Sequence, residues 1–149
     1  MTDDDQDIPD DGRRAVHADA EWTRLAHCYL LAKTIRDESF ANAAIDGIIE
    51  KMTASDRYPT GIASEVYQYT AGGDRLRELL VDVHVWKGRG TWMQAPHDDA
   101  TAPVQFLQDV IQGLASAGSK IHAEEVIVPW EEKPCAFYHV HVATQKCHR

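Results

Sequence analysis

The densest run of chemically capable side chains lies near the C-terminus, in Cys135-Ala-Phe-Tyr-His139-Val-His141 followed by Cys147-His148. Thiolate and imidazole are the donors of tetrahedral zinc, and one short segment can supply all of them. On a helix Cys135 and His139 share a face. On an extended segment His139 and His141 do, together with Phe137. The spacing departs from the paired C-x-x-C and H-x-x-x-H arrangement of common zinc fingers. The competing reading is therefore a half-buried Phe137/His139/His141 strand face with no metal. Under the metal reading Cys135, His139, His141 and Cys147 are the ligands and one structural zinc is the cofactor; under the other the chain carries none.

Other groups are weaker. His97-Asp98-Asp99, with His84 and Asp82 nearby in sequence, has the residue types of a metal-dependent hydrolase acting on phosphoesters. Its setting after Pro96 favours a solvated turn. Glu124-Glu125 and Glu131-Glu132 are adjacent pairs, which point apart on any regular element and suit solvent better than acid–base work. Cys28, between Leu25 and Leu31, fits a small core residue. Lys87-Gly88-Arg89-Gly90 lacks the order of a phosphate-binding loop. Trp86 and Trp92, close to loops, are the candidate anchors for a protein partner.

The elements that position these residues are helical. Trp22, Leu25, Ala26, Tyr29 and Leu30 recur at the spacing of one helix face, behind Asp19 as a cap. Ala41, Ile45, Ile48, Ile49 and Met52 repeat the pattern after Ser39, with Gly47 inside it for a close helix approach. The short Thr34–Glu38 link makes the two an αα-hairpin. Tyr58-Pro59-Thr60-Gly61 ends that unit, and Ile62, Val66 and Tyr69 follow as a short helix opened by Thr60. Asp74 restarts a helix through Leu76, Leu79, Leu80 and Val83. Val81 to Trp86 alternates as a strand would, but continues that helical stripe. Lys87 to Ala102 reads as a long loop. Pro103, with Thr101 as cap, opens a helix bearing Leu107, Val110, Ile111 and Leu114, and Gly118 closes it. The expected core is Trp22, Leu25, Tyr29, Ile45, Ile48, Met52, Leu76, Leu79, Leu80, Leu107 and Ile111.

The 149 residues suit one domain with a core of its own, at 44% hydrophobic and 26% charged. The net charge of −9 is concentrated in Asp3, Asp4, Asp5, Asp7, Asp10 and Asp11, which read as a solvated tail. An acidic chain without a basic stripe argues against nucleic acid. No apolar run is long enough to span a bilayer, and the acidic start is unlike a signal peptide. The three cysteines then fit an intracellular, reducing setting, cytoplasmic or nuclear, as free thiols or metal ligands more than as a disulfide framework. The expected fold class is all-α: about five helices over 19–118, a disordered acidic tail over 1–18, and an irregular Cys/His-containing tail over 119–149.

Tyr29-Leu-Leu-Ala-Lys-Thr-Ile-Arg-Asp-Glu-Ser-Phe-Ala-Asn-Ala-Ala-Ile-Asp-Gly-Ile-Ile-Glu resembles the helical region that follows the BTB/POZ core in filamentous-fungal proteins. Tyr58-Pro-Thr-Gly, Leu76-Arg-Glu-Leu-Leu-Val-Asp-Val-His-Val-Trp, Phe106-Leu-Gln-Asp-Val and the closing Pro134-Cys-Ala-Phe-Tyr-His-Val-His resemble later parts of it. The matching positions are mainly apolar, with Asp46 and Asp82 between them. Only the acidic stretch precedes Trp22, so the resemblance covers the helical region and not the BTB core. It implies a non-enzymatic intracellular module that binds a protein partner, with a homo-oligomer within its scope.

Overall fold

Residues 11–89, 92 and 102–141 are described by a computed structural model of the chain, with side chains from 20 onward. Helix α1 (Asp11–Thr34) turns through three residues into α2 (Glu38–Ser55). Arg36 makes the reversal with a left-handed φ of 57°. The cap of α2 is Asp37 where Ser39 was expected: its carboxylate accepts the Phe40 amide at 2.9 Å. Helix α1 begins well before Asp19. The Arg13–Ala20 stretch contains neither Gly nor Pro, and the acidic residues ahead of it suit the positive end of the helix. Of the expected acidic tail, residues 11–18 are therefore helical, and 1–10 lie outside the described residues.

Trp22, Ala26, Tyr29 and Ala32 of α1 are buried against Ala41, Ala44, Ile45, Ile48 and Met52 of α2. Gly47 serves the close approach expected of it, because a Cβ there would meet the Leu25 side chain at 3.2 Å. Helix α3 (Ala63–Tyr69) starts later than Thr60. It buries Val66 and Tyr67 while leaving Tyr69 64% exposed. Asp74 caps α4 (Arg75–Lys87), accepting the Leu76 amide at 2.9 Å. The alternating Val81–Trp86 stretch is indeed helical.

Helix α5 (Val104–Ala117) has the expected period but a different phase. Val110 is buried as expected, but Phe106 joins it in the core while Leu107 is half-buried and Ile111 is 66% exposed. The reason is the fit to α4. A Cβ at Gly113 would lie 2.7 Å from the Val85 side chain, so the Phe106–Val110–Gly113 side is the one that can approach closely. Gly118, with φ 53°, ends the helix and opens a 3-10 turn over Gly118–His122. Helices α6 (Pro129–Glu132) and α7 (Pro134–Tyr138) follow. The segment expected as an irregular tail is thus docked: Val128, Trp130 and Tyr138 are at most 2% exposed and belong to the same core. No strand occurs among the described residues, and the chain is a small all-α bundle.

Candidate metal centre in a C-terminal clamp

Helix α7 places Cys135 in its first turn and ends at His139, after which the chain runs extended through Val140 to His141. This change from helix to extended backbone at His139 brings all three side chains together, where either regular geometry alone would align only two. Cys135 Sγ lies 3.0 Å from His141 Nε2. The two imidazoles meet edge to face with centroids 5.6 Å apart. One donor atom from each of Cys135, His139 and His141 falls within 4.8 Å of the others, so the group could hold a metal ion. Cys147, the fourth expected ligand, lies outside the described residues. Cys28, on α1, is a free thiol.

The clamp that holds this segment comes from α2 and α4. Asn42 pairs with the backbone of Val140 through both ends of its amide, donating to the carbonyl at 2.9 Å and accepting the N–H at 3.0 Å. His139 Nε2 donates to Asp46 Oδ1 at 2.6 Å. The Tyr138 hydroxyl donates to Asp82 Oδ2 at 2.6 Å, and Arg75 donates to the Phe137 carbonyl at 3.3 Å. Burial, then the Asp82 hydrogen bond and charge, push the Tyr138 hydroxyl far above its ordinary range. Burial also raises Asp82, with the Tyr138 hydrogen bond opposing it. Asp46 and Asp82, the two acids set among apolar positions of α2 and α4, are therefore the clamp's anchors. Asn42 stands in the segment that carries the resemblance, but no role was expected of it.

The remaining candidates serve the interior. His84 is buried, its Nδ1 donating to the Leu80 carbonyl at 2.8 Å. Its ring stands edge-on to Phe106 and Trp92, and burial lowers its pKa below the usual histidine range. His97 and Asp98 lie outside the described residues. Trp86 is half-buried against the core, and Trp92 packs 5.6 Å from Tyr58 as well as on His84. A surface cleft of about 570 Å³ runs between α4, α5 and α7. Two of its three carboxylates, Asp82 and Asp109, each accept a tyrosine hydroxyl, from Tyr138 and Tyr67, and so tie elements together. Arg77, which the sequence did not single out, is 5% exposed. Its guanidinium sits 4.2 Å over the Tyr67 ring and donates to the last carbonyls of α3.

Fold and site together define an all-α bundle closed by a C-terminal clamp that carries a Cys/His group. Compared with protein-family models, with curated proteins and with solved structures, the chain matches none. No helix among the described residues is long and apolar enough to cross a membrane.

Proposed function

We propose that this chain is a non-enzymatic protein-interaction module of the kind its resemblance to the post-BTB helical region of fungal proteins implies. The observation that carries the reading is the outer face of α5. Val104, Ile111 and Leu114 are 70%, 66% and 42% exposed, and with half-buried Leu107 they repeat at alternating three- and four-residue steps. That is the spacing of a helix seam that packs against another helix. The exposed positions beside it are Gln105, Gln108, Gln112, Ala115 and Ser116, so an approaching protein meets no charge to desolvate. Half-buried Trp86 and Trp92 offer less surface to a partner than this stripe does.

The test compares wild type with Ile111→Glu and Leu114→Glu. Both changes are on the surface and should leave the melting temperature within a few degrees. Sedimentation at rising concentration and binding assays should show protein association for wild type and its loss in the variants. Equal association by all three would remove α5 as the docking face.

The convergence of Cys135, His139 and His141 supports a second element of the reading, a structural zinc that fastens the C-terminal segment. Zinc content of the reduced, untagged protein tests it. One zinc per chain, with a lower melting temperature after chelation, is the expected result.

A further inference from the structure

We infer that the protein that docks on α5 is a second copy of this chain: the outer faces of two α5 helices pair in parallel and in register about a two-fold axis. The inference rests on the docking reading of α5 above and names the partner.

Charge favours a copy on this face. The chain has a net charge of −9, and molecules of like charge repel one another across most of their surface. Helix α2 carries Glu38, Asp46, Glu50 and Lys51, and α4 carries Arg75, Arg77, Glu78, Asp82 and Lys87. Of the 14 residues of α5, Asp109 alone is charged. It stands two positions from both Leu107 and Ile111, about 200° round the helix from each. Its carboxylate is occupied in accepting the Tyr67 hydroxyl at 2.7 Å. The outer face of α5 is therefore a surface through which this acidic chain meets itself without setting acid against acid.

The side-chain types agree. Val104 and Ile111, both β-branched, are seven residues apart, and so are Leu107 and Leu114. A β-branched residue at one seam position and leucine at the other is the choice that favours two parallel strands. In that arrangement each residue lies beside its own counterpart, Ile111 beside Ile111 of the second copy. The positions flanking the seam, where charge selects one foreign partner and rejects others, hold Gln108 and Ala115. Helix α5 has no such selector, and a copy, which brings the same spacing and the same neutral flanks, fits it without one.

The length of the helix limits the strength of the pair. Its 14 residues span about 21 Å. So short a seam falls below the roughly 1,200 Å² at which stable interfaces begin, and the pair forms and separates with concentration.

The experiment uses the full, untagged chain with its thiols kept reduced. Wild type, Ile111→Glu, Ile111→Lys and an equimolar mixture of the two variants are compared by sedimentation equilibrium at rising concentration. Wild type should pass from monomer to dimer. Each variant alone sets two like charges side by side and should weaken the pair by about 30-fold or more, the loss of a central anchor. The mixture should regain the dimer, because glutamate then lies beside lysine, and that recovery also shows both variants to be folded. Dimers of equal strength in wild type and both variants would place the contact elsewhere and overturn the proposal. A mixture as monomeric as its components, beside a dimeric wild type, would overturn the in-register pairing. A wild type that stays monomeric throughout would overturn self-pairing altogether. The docking reading then has its own probe, a designed amphipathic peptide helix with a leucine–isoleucine seam and uncharged flanks. Binding of that peptide to wild type and not to Ile111→Glu would leave α5 a docking face for another protein, and binding to neither would remove that reading as well.

Discussion

Asn42 on α2 and Val140 near the C-terminus are 98 residues apart, yet the asparagine amide grips the valine backbone as a neighbouring strand would, with one bond donated and one accepted. The side chain thereby substitutes for a sheet partner. Asn42→Ala removes both bonds at once. At roughly 0.5–1.5 kcal/mol for each, the change should cost about 1–3 kcal/mol. The loss should also be local. Limited proteolysis of Asn42→Ala should cut first between α7 and His141, where wild type resists. Cutting at the same rate in both proteins would count against the clamp.

Tyr138 and Asp82 form the clamp's second fastening, and its strength depends on pH. Tyr138→Phe keeps the packed ring and leaves the half-buried Asp82 carboxylate without its donor. At neutral pH the cost should be about 1–3 kcal/mol, the penalty for a buried acceptor left unmade. Asp82 is already raised by burial, and losing the hydroxyl raises it further, since the Tyr138 bond is what opposes the shift. Folding therefore takes up a proton at Asp82 more readily than the unfolded chain does. The deficit of Tyr138→Phe should shrink as pH falls through the raised value, because a neutral carboxyl no longer demands a donor to its charge. Denaturant titrations of both proteins at neutral and acidic pH measure this. A deficit that grows on acidification would refute the account.

What the sequence disclosed and what it hid divide along one physical line. Asp74 as a cap and Gly118 as a stop were legible, because each acts on backbone within a few residues of itself. The period of α5 was legible but its phase was not. Val110 was in the expected stripe and is buried, but Leu107, Ile111 and Leu114 flank it as plausibly as Phe106 does, and the close approach of Gly113 to Val85 on α4 decides between them. The docking of the last segment was hidden for the same reason. Tyr138, His139 and Val140 are held by Asp82, Asp46 and Asn42, partners that no local pattern can point to. The Cys/His types announced a candidate site, and the change from helix to extended chain at His139 is what assembled it.

His84 carries a second pH prediction, of opposite origin. Burial holds its pKa below the ordinary 6.5, so the unfolded chain takes the proton before the folded one. The stability linked to this residue is fully present above about 6.5 and is lost as pH falls from there through the lowered folded value. His84→Leu lacks the titrating group. It should be less steeply destabilised by acid than wild type between pH 7 and 5, whatever its stability at pH 7. Parallel curves of melting temperature against pH for the two proteins would show that His84 contributes nothing to the slope.

Arg77 is a buried cation that serves as a terminal fitting for α3. Its Nε donates to the Thr70 hydroxyl at 2.7 Å and its Nη2 to the Tyr67 carbonyl at 2.9 Å, closing carbonyls that a helix end leaves open. Among the described residues Nη1 is buried without a partner, so part of what these bonds contribute is offset by desolvation. Two substitutions separate the gains from the cost. Arg77→Met keeps an apolar side chain and removes every donor together with the cation over the Tyr67 ring; its loss should be about 1.5–3 kcal/mol, the range for a hydrogen bond to a charged group, because the relief at Nη1 works against the lost bonds. Arg77→Lys keeps the charge but cannot reach three acceptors in one plane, and should be at least as destabilised. Chemical denaturation of the three proteins reads both values. A methionine variant as stable as wild type would mean that the desolvation cost cancels the bonds, and would reassign the stability of α3 to Val66 and Tyr67 packing alone.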